Sequence, residues 1–538
     1  MIPELGRPLP TIALFLLFAG VTLYLTARAR ARTNSLSDFY VAGRTVPAPQ
    51  NGLALFGNFL MFTSFLTMTG EIAIRGYDGV LFAVGFVVSF VVALLLVAEP
   101  VRNGSRYTIG DLFSVRLRER PVRLATAVVT LVVFFFYTMV QMVGAAGLAA
   151  PLLGMSQPSA QAAVVVVIGV LTTVYVFVGG MHATTAVQIF KAVLLILAVA
   201  ILAMLVLVRW GGNLSALLGD AAARSGPDAG QWLSPGQKFG VGTHRWEFVS
   251  QLVTVVLGHA ALPYLFLRHN TVPSAREARR SVAFATWLVT PFYLAVIVIG
   301  FGAAALFGAK AIMAAPGQRN SAAMLVAGEL GGTPLLAFVG AVVLLTVVAV
   351  TAGLTISAAA SFSHDIYASV LKRGRVDAAG ELRVARRVVL ALGVLSILGG
   401  LVFMRQNIAF MLSLDVTVVA STILPVLVFA IFWRRFNTSG ALWSLYGGLA
   451  LTVVLVAFSP AVSGNPMAMI PGADFAWFPW KYVGLVSIPA AFLLGYLGTV
   501  FSREHDDARF DVLEARILTG AGAQPAVEAR PRETAAVR

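Results

Sequence analysis

The chain has 538 residues, of which 58% are hydrophobic and only 12% are charged, and its mean hydropathy is +0.86. A soluble domain usually has about a quarter of its residues charged, so most of this chain must be surrounded by lipid. The absence of cysteine excludes disulfides, thiolate metal sites and cysteine nucleophiles, and the net charge of +15 lies in short groups between apolar runs, as in membrane proteins and unlike nucleic-acid-binding proteins.

The first apolar run, residues 11–27, is followed by basic residues and is not preceded by them. A secretory signal peptide has the opposite order and a small-residue cleavage site, and no such site is evident here. We therefore predict that this run is a retained first membrane helix.

Thirteen apolar runs approach or exceed the roughly 20 residues that a helix needs to cross the bilayer. They are numbered here as spans 1 to 13: 11–27, 50–74, 77–99, 123–153, 159–179, 183–208, 247–267, 281–307, 335–363, 384–404, 408–433, 438–459 and 482–501.

The distribution of Lys and Arg predicts the orientation of these spans. Alternate loops, together with the C-terminal tail, contain 28 of the 39 basic residues, and the opposite loops contain ten. Because basic loops stay in the cytoplasm, we predict an outside N-terminus and a cytoplasmic C-terminus in a bacterial inner membrane. The outside loops 209–246 and 460–481 are long, and a short interfacial helix is predicted at 213–223.

The predicted organisation is one transmembrane domain, 1–502, followed by a cytoplasmic tail, 503–538, that is largely disordered because it is small and polar. Within the domain, two core repeats are expected at about 47–209 and 246–435.

Spans 2 and 7 are predicted to be broken near the middle of the membrane. Span 2 contains Gly57, Asn58, Thr63 and Ser64, and span 7 contains the stretch LGHAALPYLF with its proline at 263. A pair of interrupted helices in corresponding positions is typical of transporters, where freed carbonyls bind a cation and a half-helix N-terminus faces an anion. Glycine and proline are also common in ordinary membrane helices.

The two broken spans are five apart, and an odd separation gives spans 2–6 and 7–11 opposite orientations. The predicted fold is therefore an all-α polytopic membrane protein with an inverted five-plus-five repeat and extra helices at both ends.

Several segments carry a family resemblance that extends in order over roughly residues 35–440. The segments are DFYVAGR (38–44), GYDGVLFAVGF (76–86), AEPVRNGSRYTIGD (98–111), VYVFVGGMHATTAVQIFKAVLL (174–195), LPYLFLRHNTVPSAREARRSVAFAT (262–286), TAGLTISAAASFSHDIYASV (351–370) and NIAFMLSL (407–414). In these segments the chain resembles the sodium/solute symporter family, and within it the cation/acetate (monocarboxylate) permease branch. The resemblance implies a LeuT-like fold and cation-coupled uptake of acetate, propionate or pyruvate.

The resemblance also implies a cation site between the broken span 2 and span 9. The matching backbone carbonyls are those of Gly57 and Leu60, and the two hydroxyl positions of span 9 fall at Ala349 and Val350, which have no side-chain oxygen. Thr351, one residue further, would supply a hydroxyl if the register shifts.

Proline-type members of the family also have an acidic residue and a serine in span 2, where this chain has Phe59 and Met61. The driving cation is thus left open between Na⁺ and H⁺.

The substrate-binding residues predicted for a small carboxylate are Asn58, Thr63, Ser64, His259 and Pro263. His259 lies where proline-type relatives place an aromatic substrate contact. It either donates to a carboxylate or titrates, or it is a buried neutral histidine bonded to a backbone carbonyl.

Ionisable residues inside the membrane are functional candidates because burying a charge there is costly. Glu71 and Arg75 form an i,i+4 pair near the outer end of span 2, which either lines an outer vestibule or takes part in coupling. Asp415 in span 11 is predicted either to pair with Arg75 as an outer gate or to carry a proton. Lys191, two turns into span 6, is expected to snorkel to the cytoplasmic side as a structural residue.

No soluble catalytic motif is present in the sequence: GxxxxGK[ST], HExxH and GxSxG are absent, and the six histidines suggest no metal cluster. We therefore expect a transporter and not an enzyme, with no cofactor beyond the transported cation and no obligate protein partner. The alternatives are a proton-coupled carrier and a non-transporting membrane sensor built on the same fold.

Overall fold

The structure is a computed structural model that describes residues 8–154, 157–225, 229–236, 244–404, 408–465, 468–470, 472–504, 507–520 and 522. The described residues form helices and connecting turns, without a strand. The membrane helices, in chain order, are Pro8–Arg30, Ala48–Phe59 with Thr63–Thr67 and Met68–Arg75, Tyr77–Leu96, Glu119–Leu153, Pro158–Arg209, His244–Ala260 with Pro263–His269, Ala275–Ala314, Ala322–Ala360 with Ser361–Leu371, Ala378–Phe403, Ile408–Ala420 with Ile423–Phe432, Thr438–Leu442 with Trp443–Gly447 and Gly448–Ala457, and Gly484–Val500.

The number of spans follows from helix length. Ten described helices are long and apolar enough to cross a membrane, or eleven if the bent pair in span 2 counts as one span. Pro158–Arg209 has 52 residues, about 78 Å of helix, more than twice the hydrocarbon thickness. It is interrupted at Gly180, whose φ of 52° is left-handed, so it makes spans 5 and 6. With the 17-residue apolar helix Gly484–Val500, the thirteen predicted spans are all present.

Span 9 lies at the centre of the bundle. In its most apolar window 89% of the residues are buried, against 33% in spans 1 and 10. Spans 1 and 10 therefore present much of their surface to lipid, whereas span 9 is enclosed by other helices and positions residues against the break in span 2.

Shorter helices occupy the loops and the tail: Leu36–Val41, Ala98–Gly104, Ile109–Arg116, Leu214–Ala223, Ala229–Trp232 and Asp507–Thr519. Leu214–Ala223 confirms the short helix predicted at 213–223. Within the tail, Asp507–Thr519 is helical and packs on the connection between spans 3 and 4. There Leu513 is buried, and Asn103 donates to the Ile517 carbonyl at 2.8 Å. Residues 523–538 lie outside the described residues.

Candidate functional site

Span 2 is broken at the predicted place. Its first half ends at Phe59, Leu60 is extended with φ −78° and ψ 106°, and the second half starts at Thr63 after a bend of 70°. The break interrupts the regular i→i+4 ladder, so carbonyls at the end of the first half, including those of Gly57 and Leu60, are available to other partners.

Lys191 of span 6 fills the space beside these carbonyls. Its Nζ donates hydrogen bonds to the carbonyls of Gly57 and Leu60, and its side chain is fully buried. The expectation that Lys191 snorkels to the cytoplasmic side is therefore wrong. A lysine side chain is long enough to reach either target, and only the packing of span 6 against span 2 decides between them.

The close approach of spans 2 and 6 depends on Gly57. A Cβ atom at this position would lie 2.5 Å from the Gln188 carbonyl oxygen, and Gln188 precedes Lys191 by one helical turn on the same face. The Gln188 side chain donates to Asn58 Oδ1 at 2.8 Å and to the Ala349 carbonyl at 2.7 Å. Span 6 therefore joins the break in span 2 to span 9.

Span 9 packs against the break in span 2 at Gly353. Gly353 packs so closely on Asn58 that a Cβ atom would lie 2.1 Å from Asn58 Oδ1. Ala349 and Val350 lie on the same face, one turn before Gly353. The Thr351 hydroxyl instead donates to the Val347 carbonyl of its own helix, at 2.8 Å. The face that meets the break therefore has no hydroxyl at either of the positions implied by the family resemblance.

The predicted substrate residues of span 2 are buried at the start of its second half. The Ser64 hydroxyl accepts a hydrogen bond from the Met61 amide at 3.3 Å, and Thr63 is buried beside it. Asn58 Nδ2 has no hydrogen-bond partner among the described residues. The break therefore contains polar atoms with unused hydrogen-bonding capacity, as expected for a small polar ligand.

His259 faces aromatic rings. Its Nδ1 lies 2.9 Å from the Val255 carbonyl, and its ring meets those of Phe59 and Phe86 edge to face, with centroids 5.5 and 4.9 Å away. Of the two alternatives for His259, a substrate-binding or titrating side chain and a buried histidine bonded to a backbone carbonyl, this contact corresponds to the second. With Nδ1 as the donor, Nε2 is the ring atom left for another partner. Pro263 begins the second half of span 7.

A cluster of tyrosines, which the sequence reasoning missed, completes the site. The hydroxyls of Tyr137 and Tyr264 are 3.1 Å apart, and the ring of Tyr293 stacks on Phe86 with centroids 5.5 Å apart. The Tyr293 hydroxyl is buried without a partner that satisfies hydrogen-bond geometry among the described residues, and Ser64 lies beside it. A tyrosine inside an apolar span, which needs a partner for its hydroxyl, was the available signal.

The ionisable residues near the outer end are brought together only in part. Glu71 pairs with Arg75 at 2.7 Å and also with Arg319, which precedes span 9. Asp415 is fully buried, and its Oδ1 accepts from the Val416 amide at 2.5 Å. The predicted contact between Arg75 and Asp415 is therefore not formed. Asp415 instead lies near enough to Tyr137 and Tyr264 to interact with them electrostatically.

A buried ionic network, also missed from the sequence, lies on the predicted cytoplasmic side. Arg123 Nη1 is 2.7 Å from Asp111 and 2.8 Å from Asp365, and His364 bridges Asp111 and Glu381 at 3.0 Å each. Burial would raise the pKa of Asp111, but His364 and Arg123 together hold it well below its usual value.

One histidine and two aspartates of this network, Asp111, His364 and Asp365, have ligand atoms within 4.8 Å of one another. The Arg123 guanidinium already bridges both carboxylates, so the geometry favours an ionic network over a metal site.

Comparisons with known proteins show which family the chain matches. The family model of the sodium:solute symporter family matches residues 39–448. A monocarboxylic acid transporter of Corynebacterium glutamicum is 44% identical over 534 residues, which cover 97% of each chain. An uncharacterised symporter of Bacillus subtilis, YwcA, is 40% identical over 94% of this chain and 98% of its own.

Among solved structures, a Na⁺-coupled sialic acid symporter in a substrate-bound outward-open state superposes with a TM-score of 0.72 at 14% identity, covering 92% of this chain and 98% of that one. At this identity the likeness concerns the fold alone. It agrees with the all-helical LeuT-like architecture predicted from the sequence.

Proposed function

The chain belongs to the sodium:solute symporter family, and we propose that it takes up a small monocarboxylate such as acetate, propionate or pyruvate together with a cation. The proposal places it in a bacterial inner membrane with the N-terminus outside, as the basic loops predict. The two repeats would rock about the broken spans to expose the site to each side in turn.

The observation that carries the proposal is the 44% identity to a monocarboxylic acid transporter over nearly the whole of both chains. The site is compatible with such a substrate. The start of the second half of span 2 favours negative charge, and the Ser64 and Tyr293 hydroxyls beside it are donors suited to a carboxylate.

The aromatic rings near the break present apolar surface to a substrate. Phe59, Phe86 and His259 pack edge to face there. A two- or three-carbon acid would place its carboxylate at the hydroxyls and its short carbon chain against these rings. A sugar would bring several hydroxyls to the same apolar faces without partners, which is costly.

Uptake of labelled acetate by purified protein in proteoliposomes tests this function. Unlabelled propionate and pyruvate are expected to compete, and proline and glucose are not. Failure to move any labelled monocarboxylate would reject the proposal and would favour the sensor alternative.

A variant pair tests the position of the substrate. Tyr293→Phe keeps the ring and removes one hydroxyl, so the KM for acetate should rise about tenfold, the effect of losing roughly 1.4 kcal/mol of binding. Tyr175→Phe removes another buried hydroxyl, bonded to Thr22 of span 1, and should leave KM unchanged. Equal effects of the two substitutions would contradict the placement.

A further inference from the structure

Lys191 is a fully buried basic residue for which the described residues show no ion pair. Its ammonium group lies on the two span 2 carbonyls that the family resemblance assigns to the transported cation. We propose that the Lys191 ammonium is a cation built into the chain, that it takes the place of sodium between spans 2 and 9, and that uptake does not depend on sodium. This inference rests on the proposed symport function and concerns the cation that drives it.

Occupancy is the first argument. The Lys191 nitrogen is within hydrogen-bond distance of both the Gly57 and the Leu60 carbonyl oxygens. A metal ion coordinated by the same two oxygens would overlap this nitrogen, and the two positive charges would repel each other at short range. The carbonyls freed by the break therefore already have their cation.

The ligands on span 9 give the second argument. Ala349 and Val350 have no side-chain oxygen, and the Ala349 carbonyl already accepts the Gln188 amide at 2.7 Å. The Thr351 hydroxyl is turned to its own helix. Sodium prefers several oxygen ligands, and this side of the site offers it no hydroxyl at the two positions concerned. The absence of hydroxyls at Ala349 and Val350 is consistent with the presence of Lys191, because the Lys191 ammonium is bound by the span 2 carbonyls alone and requires no hydroxyl from span 9.

The third argument is the cost of burying the charge. Lys191 is fully buried, and among the described residues no carboxylate pairs with it, so its bonded partners there are the two carbonyls. An ammonium group without a counter-ion is expensive in a membrane and is retained where it has a function. The Lys191 charge can act as the counter-charge for a carboxylate entering the same break, the role that a bound sodium would otherwise have.

The charged groups nearest the break do not alter this arrangement. Arg268, from the second half of span 7, donates to Thr185, which lies two turns before Lys191 on span 6, at 2.6 Å. Arg268 is itself a cation and therefore cannot neutralise Lys191. With sodium displaced from this site, the proton, which the sequence leaves as the alternative driving ion, is favoured, and uptake is expected to follow a pH gradient in sodium-free medium.

The wild-type protein supplies the first test. Acetate uptake driven by an inward proton gradient should have the same rate in sodium chloride and in N-methylglucamine chloride, and sodium should not raise the melting temperature relative to equal potassium. Uptake that falls to background without sodium, or a sodium-specific rise in melting temperature, would overturn the inference.

Rebuilding the site is the second test. The triple variant Lys191→Ala, Ala349→Ser, Val350→Thr removes the ammonium and adds the two hydroxyls, so sodium should raise its melting temperature by several degrees, because a ligand that binds only the folded state stabilises it. The matched control, Ala349→Ser with Val350→Thr, retains Lys191, and sodium should not change its melting temperature.

The outcomes separate the inference from the function on which it rests. A control that responds to sodium, or a folded triple variant that does not, would overturn the role of Lys191. If the triple variant does not fold, the melting and uptake measurements on the wild-type protein still test whether Lys191 replaces sodium. Wild-type protein that moves no monocarboxylate refutes the proposed function, while the melting measurements continue to test Lys191. Sodium-dependent acetate uptake refutes the inference and leaves the function intact.

Discussion

Gly57→Ala is the substitution for which the geometry gives the sharpest expectation. The added methyl would lie 2.5 Å from the Gln188 carbonyl oxygen, whereas carbon and oxygen normally meet at no less than about 3.3 Å. The obstacle is backbone, so span 6 must move away from span 2 by roughly 0.8 Å, the difference between these distances. Lys191 lies one turn further on the same face, and its bonds to Gly57 and Leu60 would lengthen with this movement.

The expected cost has two parts. Overpacking a well-packed position costs about 1–3 kcal/mol, and each weakened charge-assisted hydrogen bond contributes up to about 1.5–3 kcal/mol. Gly57→Ala should therefore destabilise the protein by about 3 kcal/mol or more, and acetate uptake should fall sharply. Thermal unfolding of purified protein and uptake in proteoliposomes measure the two effects.

Gly20→Ala is the matched control. Gly20 lies in the middle of span 1, and no atom lies within 4 Å of the position that its Cβ would take. Alanine there should be neutral or stabilising by about 0.5–1 kcal/mol, because glycine inside a helix is unfavourable. If Gly57→Ala had the same melting temperature as Gly20→Ala and transported acetate at the wild-type rate, the close approach of spans 2 and 6 would not be required for stability or transport.

Two further substitutions separate buried from exposed charge. Asp111→Asn should destabilise by about 3–5 kcal/mol, since Arg123 and His364 lose a buried partner, whereas Glu99→Gln, in an exposed pair with Arg279 at 3.4 Å, should cost less than about 1 kcal/mol. Burial alone would raise the pKa of Asp111, but His364 and Arg123 outweigh this effect and lower it. The stabilisation that Asp111 contributes is therefore complete above its ordinary pKa of about 3.9, and it is lost as the pH falls through the lowered pKa. The acid limb of a stability profile should therefore be shallower in Asp111→Asn, and equal limbs would count against the network. Glu71→Gln removes a partly exposed ion pair with Arg75 and Arg319. Its loss of stability should become smaller between about 0.1 and 1 M KCl, because the Debye length falls from roughly 10 to 3 Å. The loss of stability in Asp111→Asn should not change with salt.

Much of the architecture is predictable because it depends on local properties of the chain. Apolar length gives the spans, and glycine, proline and small polar residues mark the breaks in spans 2 and 7. The break after Phe59 and the start of the second half at Thr63 follow from this local signal. The missing hydroxyls at Ala349 and Val350 were also visible from the residues and the register of the family motif.

The identity of the groups that meet at the break is a different matter. Lys191 is separated by 134 and 131 residues from Gly57 and Leu60, Tyr137 by 127 from Tyr264, and Asp111 by 253 from His364. Periodicity shows which residues of one span share a face, but it does not give the rotation of that span against its neighbours. A lysine two turns inside the membrane can snorkel or turn inward with equal ease when its own helix is considered alone.

The sequence by itself therefore determined that the chain is a membrane transporter with thirteen spans, an inverted repeat and a broken second span, since hydrophobicity, loop charge and helix-breaking residues act over a few turns. Only the tertiary structure decided which side chain meets the carbonyls at the break, and it places Lys191 there. That contact depends on the approach of spans 2 and 6 at Gly57 and on span 9 packing behind them, and both are set by the whole bundle.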